Sequence, residues 1–438
     1  MAESKVGTFS ALSIGIGGMV GGGIFAVTGL TVELTRGAAP IAFVVAGIVA
    51  MLTAYSYWRL SLRYPSKGGT VEFINVAFGT GTLTGALNIL LCLSYVILLA
   101  VYAYAFGAYG ASFFPEADYE FWKHTLLTGI VVLLAVVNWF GADVAIRSEN
   151  AFNSVKMVLL AIFIVVGLWM PLDPSRMAPD MWVGPFELVA GAMVIFLNYE
   201  GFELIANASN NLKNPRRALP VAYLGGVLLV IIVYVLIAMV VVGHLDFEAI
   251  AAHSDYSLST AAQAVMGKWG HIMIVVAALL ATSSAINATF YGSGRLTYII
   301  AKSGELPGEL ERDFRGQPLE GMIIFAVLTL VVGNFIPLAA IATMGSAGFL
   351  LIFLAVNAAN MKVWRETESW WWMSLLGVLA CLIALAALIW QTLVTPGQAW
   401  QVLILVGMVV ISLVVEWGYR AATGRSIMLK HFRPHPRV

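Results

Sequence analysis

The first long apolar stretch of the chain holds six glycines within nine residues, in the segment 15–25 with the sequence GIGGMVGGGIF. Glycine in a helix interior costs roughly 1 kcal/mol relative to alanine, so this cluster predicts that the helix is interrupted. In a membrane, unwound backbone is tolerated only where it is buried in protein or lines a cavity, because lipid cannot satisfy its polar groups. The cluster therefore indicates a discontinuous helix at a binding site. The alternative is close helix packing through small residues, which two or three glycines would satisfy.

The composition of the chain is that of a membrane protein with many spans. Hydrophobic residues make up 60% and charged residues 11%, and the mean hydropathy is +0.88. Soluble domains carry about 25% charged residues. The formal net charge is zero, which gives no indication of a nucleic-acid partner. We find no nucleophile motif, phosphate loop or metal-ligand spacing, and the two cysteines, Cys92 and Cys381, lie in apolar segments. An enzyme is therefore not predicted.

Apolar windows of about 20 residues, the length that crosses a bilayer as a helix, predict twelve spans. The first lacks a signal-peptide cleavage site and is expected to remain in the mature protein. The spans lie near residues 9–32, 40–61, 82–113, 125–142, 151–171, 187–208, 219–243, 270–301, 321–336, 338–361, 371–393 and 399–419.

The distribution of basic residues predicts the orientation of these spans. Cytoplasmic loops carry an excess of Lys and Arg. With the N-terminus inside, nineteen basic residues lie on the cytoplasmic side and four lie outside: Arg36, Lys123, Arg176 and Lys268. We therefore predict a multi-pass protein of the cell membrane with both termini in the cytoplasm and a cytoplasmic tail at 420–438. The acids of the outer loops, such as Asp255, are expected to be simply solvated.

A second interruption lies in the sixth span, where the segment 196–203 reads FLNYEGFE. Spans one and six would be the first helices of two five-helix halves. Paired interruptions at equivalent places in two halves indicate an inverted-repeat transporter that holds its substrate near the bilayer midplane. The spacing thus predicts one transporter domain over residues 1–438. Its parts would be a first repeat at 9–171, a second repeat at 187–361 and two further helices at 371–419.

Several motifs together resemble the amino acid, polyamine and organocation (APC) transporter superfamily, and most closely its proton-coupled, ApcT-like amino acid permeases. The resemblance covers nearly the whole chain. It implies an all-α polytopic membrane protein with a LeuT-type five-plus-five inverted repeat, discontinuous helices one and six, and two added C-terminal helices. The motifs are GGMVGGGIF at 17–25, YEGFE at 199–203, KNPRRALP at 213–220, SSAINAT at 283–289 and GELP at 304–307.

The two interruptions supply complementary backbone groups for an amino acid. The half-helix after the first break presents free N–H groups at its positive end, which suits a carboxylate, and carbonyls on the other side suit an α-ammonium. A polyamine would use only the carbonyl end and would need carboxylates, for which Glu200 and Glu203 are available. The predicted substrate-binding residues are Ile16, Val20, Gly21, Gly22, Gly23, Ile24, Phe196, Asn198, Tyr199 and Gly201.

Lys156 is the one basic residue well inside a predicted span, where charges usually mark ion or proton pathways. In the resembled permeases a lysine at this position takes the place of a sodium ion. It reaches a backbone carbonyl near Gly17 and a hydroxyl near Ser283, and alternating solvent access would let it load and release a proton. Alternatively, Lys156 snorkels to the cytoplasmic interface, since it lies about nine residues, or roughly 13 Å, past Arg147.

Other polar residues of the interrupted region allow two interpretations each. In the family pattern an acid at Glu203 is linked to gating or protonation, but it would also serve to hydrogen-bond freed backbone. At the position of Glu200 the nearest relatives often have an uncharged residue. Tyr95, Tyr102 and Tyr104 in span three either line the pocket or pack against neighbouring helices.

The predicted function is proton-coupled uptake of neutral amino acids by alternating access. The expected partners are an amino acid, protons and the lipid bilayer, with no cofactor and no nucleic acid. The alternatives are an amino acid exchanger and a transporter of polyamines or cationic amino acids. A sodium symporter and a non-transporting sensor are the remaining alternatives. The sequence leaves the oligomeric state open.

Overall fold

A computed structural model describes residues 7–66, 68–140, 143–302 and 319–423 of the protein. Within these ranges every regular element is helical, and a single bridge, between Arg36 and Trp182, is the one β contact. The all-α prediction is confirmed for this part of the chain. The motif at 304–307 and the basic tail beyond residue 423 lie outside the described residues.

The first predicted span is interrupted where the glycines cluster. The helices on either side of the break are bent by 48° relative to each other, and three residues, 20–22, separate them. The first seven helices are α1 (Thr8–Met19), α2 (Gly23–Thr35), α3 (Ala39–Arg63), α4 (Thr70–Phe78), α5 (Thr82–Ala111), α6 (Tyr119–Phe140) and α7 (Asp143–Trp169).

The sixth predicted span is interrupted as well. Its two helical parts are joined by 3₁₀ turns at Ile195–Tyr199 and Phe202–Leu204, with Glu200 in extended conformation between them. The remaining helices are α8 (Pro185–Val194), α9 (Ile205–Ala208), α10 (Pro215–Pro220), α11 (Gly226–His244), α12 (Phe247–Ala252), α13 (Ser257–Lys302), α14 (Leu319–Phe335), α15 (Leu338–Lys362), α16 (Trp371–Val394) and α17 (Trp400–Thr423).

Ten of the described helical segments are long and apolar enough to cross a membrane, and the bent pair of α1 and α2 raises the number to eleven. The helix at the ninth predicted span, α14, is apolar but shorter. The main difference from the sequence prediction is α13, which begins at Ser257 rather than near residue 270. Its first part is set off by a kink at Gly267, whose φ of 65° lies in the left-handed region that favours glycine.

The interrupted helices lie at the centre of the bundle, where the segment 195–199 is fully enclosed. They are surrounded by α3, α5, α11, α13 and α15. We call the end of the bundle at which α1 begins the N-terminal face, and the opposite end the distal face. The ends of α3, α15 and α17 lie at the N-terminal face, where Arg59 bonds the carbonyl of Thr367 and Arg420 bonds that of Thr80. The sequence predicts that this face is cytoplasmic.

On the distal face an ionic cluster around a buried lysine replaces the solvated loop that the sequence predicts. Lys123 on α6 is 5% exposed, and its Nζ lies 2.7 Å from Glu120 Oε1 and 3.6 Å from Asp255 Oδ2. The hydroxyl of Tyr104 on α5 donates to the same Asp255 oxygen at 2.9 Å. The expectation that Asp255 is simply solvated is therefore wrong: it ties the turn before α13 to α5 and α6.

Candidate substrate and proton site

The two interrupted segments meet backbone to backbone. A Cβ atom placed on Gly18 would lie 2.8 Å from the carbonyl oxygen of Gly201, and Gly201 has a φ of +119° that side chains rarely allow. Glycine at these two positions is required both for the approach and for the backbone conformation. Gly18 therefore serves close backbone packing, as the alternative interpretation of the glycine cluster proposed. The helix is also interrupted, at residues 20–22, so both interpretations apply to this segment.

The N-terminus of α2 points its free donors into this crossing. The N-cap residue is Gly22, which has no side chain to cap the helix, and the first backbone bond runs from Ala26 N–H to the carbonyl of Gly22 at 3.0 Å. The N–H groups of the first turn, from Gly23 onward, consequently have no acceptor within the helix. Such a terminus favours an anion such as a carboxylate.

Asn198 provides polar atoms at the same place. Its side chain is 1% exposed, and neither its amide nitrogen nor its amide oxygen has a hydrogen-bond partner among the described residues. A Cβ atom on Gly23 would lie 2.6 Å from Asn198 Oδ1, so the amide faces the start of α2. Buried polar groups are almost always paired in native structures, so an unpaired amide beside free N–H groups marks a candidate position for a ligand or a bound water molecule.

The wall beside the break is formed by α5 and α13. Cβ atoms added to Gly22 would lie 2.6 Å from the ring of Tyr102 and 2.9 Å from the methyl group of Thr282, and one added to Gly21 would lie 3.1 Å from Ala285 Cβ. Of the three tyrosines in span three, Tyr102 is therefore the one that packs directly on the break. The wall is mostly apolar.

Tyr234 on α11 joins the two interruptions, and no pattern in the sequence predicts this role. Its hydroxyl is 2.7 Å from the carbonyl oxygen of Met19 and 3.0 Å from that of Asn198, and the residue is fully buried. The carbonyl of Ile16, a predicted ligand of the substrate ammonium, accepts from Val20 N–H at 2.8 Å. The last carbonyls of α1 are thus already part of a hydrogen-bonded arrangement.

The position of Lys156 agrees with the resemblance. The residue is fully buried, and its Nζ donates to the carbonyl oxygen of Gly17 at 3.0 Å. This contact excludes a snorkelling orientation in the conformation described. Ser283 lies half-buried on α13, a helix that packs against α7, and its contact with Lys156 stays a prediction.

Glu203 caps the interrupted sixth span. Its Oε2 accepts from Gly201 N–H at 2.7 Å, and its Oε1 accepts from the Tyr95 hydroxyl at 3.1 Å. The backbone-bonding interpretation is therefore realised, whereas a role in gating or protonation stays a prediction. A cavity of about 20 Å³ touches Glu203 and Tyr95, room for roughly one water molecule.

Two of the predicted substrate residues direct their side chains elsewhere. The hydroxyl of Tyr199 donates to the carbonyl of Phe43 on α3 at 2.7 Å, and the ring of Phe196 packs edge-on against Phe353 on α15. The hydroxyl of Tyr199 is thus engaged on α3 in this conformation. Val20 and Ile24 are fully buried within the crossing.

These features define a class of protein. An all-helical apolar bundle has two interrupted helices that cross at its centre, with unpaired donors and a buried lysine at the first break. This arrangement is that of a membrane transporter of the discontinuous-helix type. The model of the family described as "Amino acid permease" matches residues 6–414. The chain belongs to this family, and it is therefore a transporter rather than an enzyme.

Individual relatives are similar over most of the chain. The inner membrane transport protein YbaT of Escherichia coli is 30% identical over 418 residues, which are 94% of this chain and 96% of that protein. Cationic amino acid transporter 7 (chloroplastic) of Arabidopsis thaliana is 25% identical over 431 residues, 90% of this chain and 72% of that protein. The branched-chain amino acid permease BcaP of Bacillus subtilis is 23% identical over 375 residues, 82% and 80% of the two chains.

Proposed function

We propose that the protein couples protons to the uptake of a neutral amino acid across the cell membrane by alternating access. Both termini would lie in the cytoplasm. The twelve spans would form a LeuT-type inverted repeat, with halves at 9–171 and 187–361 and two further helices at 371–419. The observation that carries the proposal is the fully buried ammonium of Lys156 on the carbonyl of Gly17.

The contact of Lys156 supports proton coupling because it lies at the break. A charge inside a membrane bundle is retained where a partner stabilises it and where it serves a pathway. The partner here is a carbonyl in the last turn of α1, beside the segment that must rearrange when access alternates. A lysine that loses this carbonyl in a dry environment releases its proton, whereas an arginine would retain it.

The surroundings of the break favour a neutral substrate side chain. The wall is made of Tyr102, Thr282 and Ala285, which carry no carboxylate, and Glu203 accepts from Gly201 N–H and the Tyr95 hydroxyl. The side chains of this wall thus offer no partner to a second cation on the substrate. The names of the relatives include both cationic and branched-chain amino acids, so the cationic alternative is kept as an outcome of the test.

The test is uptake of a panel of radiolabelled amino acids by proteoliposomes under imposed pH or sodium gradients. We expect accumulation of neutral amino acids that an inward proton gradient drives and a protonophore abolishes. Uptake that occurs only when substrate is present inside the liposomes would indicate an exchanger. Uptake that depends on sodium would indicate a sodium symporter, and binding without uptake would indicate a sensor. Amide or decarboxylated analogues should compete poorly; equal competition would contradict the carboxylate site and favour a polyamine.

Lys156→Gln should abolish proton-driven accumulation, and Lys156→Arg should do the same because arginine stays protonated. Substrate binding to the purified variants checks that the site is intact. Lys268→Gln, at an exposed lysine on α13, is the matched control and should accumulate normally. An active Lys156→Arg protein would contradict the proton-carrier role.

A further inference from the structure

Glu200 is a buried acid that the proposed cycle does not use. It is fully enclosed, and neither oxygen of its carboxyl group has a hydrogen-bond partner among the described residues. An unpaired carboxylate in a dry interior is far less favourable than the neutral acid. Because no partner stabilises a negative charge, the conformation described favours a proton on Glu200.

The titratable groups that interact electrostatically with Glu200 carry no positive charge, and the buried ammonium of Lys156 is held on the carbonyl of Gly17. On its own segment the group that interacts with it is another acid, Glu203. The groups on other helices that interact electrostatically with it are phenols and a thiol. They are Tyr57 on α3, Tyr95 and Tyr102 on α5, and Cys381 on α16. An ammonium or guanidinium that would hold Glu200 ionised is not among these groups.

Beyond Cys381 begins a chain of buried polar side chains between α3, α15 and α16. Asn357 Nδ2 lies 3.7 Å from Cys381 Sγ and donates to Thr53 Oγ1 at 3.0 Å, and Ser56 donates to Asn357 Oδ1 at 2.7 Å. All of these side chains are buried. They form the inner half of what we call the polar seam.

The outer half of the polar seam begins one helical turn further along α15. Asn360 Nδ2 donates to Ser374 Oγ at 2.8 Å, and Thr367 donates to Asn360 Oδ1 at 3.0 Å. Thr367 also lines a cavity of about 760 Å³ whose other walls include Arg63 and Asn210. This cavity opens at the N-terminal face. The polar seam therefore extends, in two hydrogen-bonded halves one helical turn apart, from Cys381, which interacts electrostatically with Glu200, to a water-accessible space.

We propose that Glu200 is a second proton-binding site of the transport cycle, which exchanges its proton with the N-terminal face through the polar seam. The inference rests on the proposed proton-coupled function. Glu200 takes up and releases one proton as its carboxyl group cycles between acid and carboxylate. Its link to substrate is short, because Asn198, whose unpaired amide faces α2, lies two residues earlier on the same interrupted segment. Substrate that rearranges Asn198 must also move Glu200.

The protonation state is tested on the purified full-length protein by infrared difference spectroscopy. The wild-type protein should show a carbonyl-stretch band of a neutral carboxylic acid that responds to substrate, and E200Q should lose it. The matched control is E416Q, at a buried glutamate that is ion-paired with Arg420 at 2.7 Å. E416Q should retain the band. An unchanged band in E200Q overturns the inference.

The route is tested by the rate at which this band shifts in deuterated water. Thr53→Val keeps the volume of the side chain but removes a hydroxyl of the polar seam, and it should slow the shift severalfold. Thr343→Val removes a hydroxyl that bonds only the carbonyl of Ala339 in its own helix, and it should leave the rate unchanged. Equal rates in Thr53→Val and wild-type protein overturn the proposed route, and this test does not require a Glu200 variant to fold.

The coupling is tested in proteoliposomes at a fixed pH gradient of about one unit, which is worth a factor of about ten in accumulation for each coupled proton. E200Q should reach a maximum accumulation about tenfold lower than wild type. Equal accumulation by both proteins overturns the inference and leaves the proposed function standing. Failure of the wild type itself to accumulate substrate would instead overturn the proposed function, while the infrared band still reports whether Glu200 is protonated.

Discussion

Tyr234→Phe should weaken substrate binding because this hydroxyl is shared by both interrupted segments. It lies 2.7 Å from the carbonyl oxygen of Met19 and 3.0 Å from that of Asn198 in a fully buried position. Without this hydroxyl the buried carbonyls of Met19 and Asn198 lose a hydrogen-bond donor. The desolvation penalty of a buried group left unsatisfied in this way is about 1–3 kcal/mol. If that free energy appears in ligand affinity, the dissociation constant rises by about 5- to 150-fold.

The matched control is Tyr109→Phe. Tyr109 is equally buried, and its hydroxyl donates to the carbonyl of Phe25 at 3.1 Å, so it contacts only one half-helix. Both variants should lower the thermal stability of the purified protein to a similar degree. Only Tyr234→Phe should also weaken binding strongly, because Asn198 then loses its fixed position relative to α1.

Equilibrium binding of a radiolabelled amino acid, measured beside the melting temperature, separates the two effects. Equal losses of affinity in Tyr234→Phe and Tyr109→Phe would refute the idea that Tyr234 aligns the two breaks. Wild-type affinity in Tyr234→Phe would refute it as well.

Two further predictions concern a glycine and a glutamate. Gly23→Ala should weaken substrate binding by about 1–3 kcal/mol, because the added methyl group would lie 2.6 Å from Asn198 Oδ1. The control, Gly81→Ala, should bind substrate normally, because no atom lies within 4 Å of its added methyl group. Equal binding by both variants would contradict the proposed close approach. Burial raises the pKa of Glu72, on α4 outside the membrane-spanning helices, from 4.5 to about 7. The folded protein therefore holds this proton more tightly than the unfolded chain does. As the pH rises from 4.5 to about 7, the free energy of unfolding should fall by at most about 3 kcal/mol. Melting temperatures across this range should decline less in Glu72→Gln, and parallel curves for the two proteins would contradict the assignment.

The positions of the helices could be predicted from the sequence because each depends on a local apolar run of sufficient length. The start of α3 at Ala39 and the start of α16 at Trp371 lie within one residue of the predicted spans. The interruptions were predictable for the same reason, since clustered glycines and the segment 196–203 act on the backbone locally. The position of Lys156 inside the bundle was predictable as well, because a charged residue within an apolar span usually faces the bundle interior.

The partners of individual side chains could not be predicted in this way. Tyr234 is one tyrosine in an otherwise apolar helix, and only the packing of α11 against both breaks gives it two carbonyl partners. Tyr199 occupies a position of the sequence motif that predicts substrate contact. In the structure, however, its hydroxyl donates to the backbone carbonyl of Phe43 from the turn at Ile195–Tyr199. Lys123 and Asp255 are far apart in the sequence, and their pairing depends on how the helices assemble.

The contact between Gly18 and Gly201 restricts how this gene can change over time. A side chain at either position would overlap the main chain of the other segment. A second substitution would not make room, because substitutions remove side-chain atoms and not backbone atoms. Glycine at each of these positions is therefore required by the backbone at the other, although the two lie nearly two hundred residues apart in the sequence. Every lineage that keeps this crossing must therefore keep glycine at both positions.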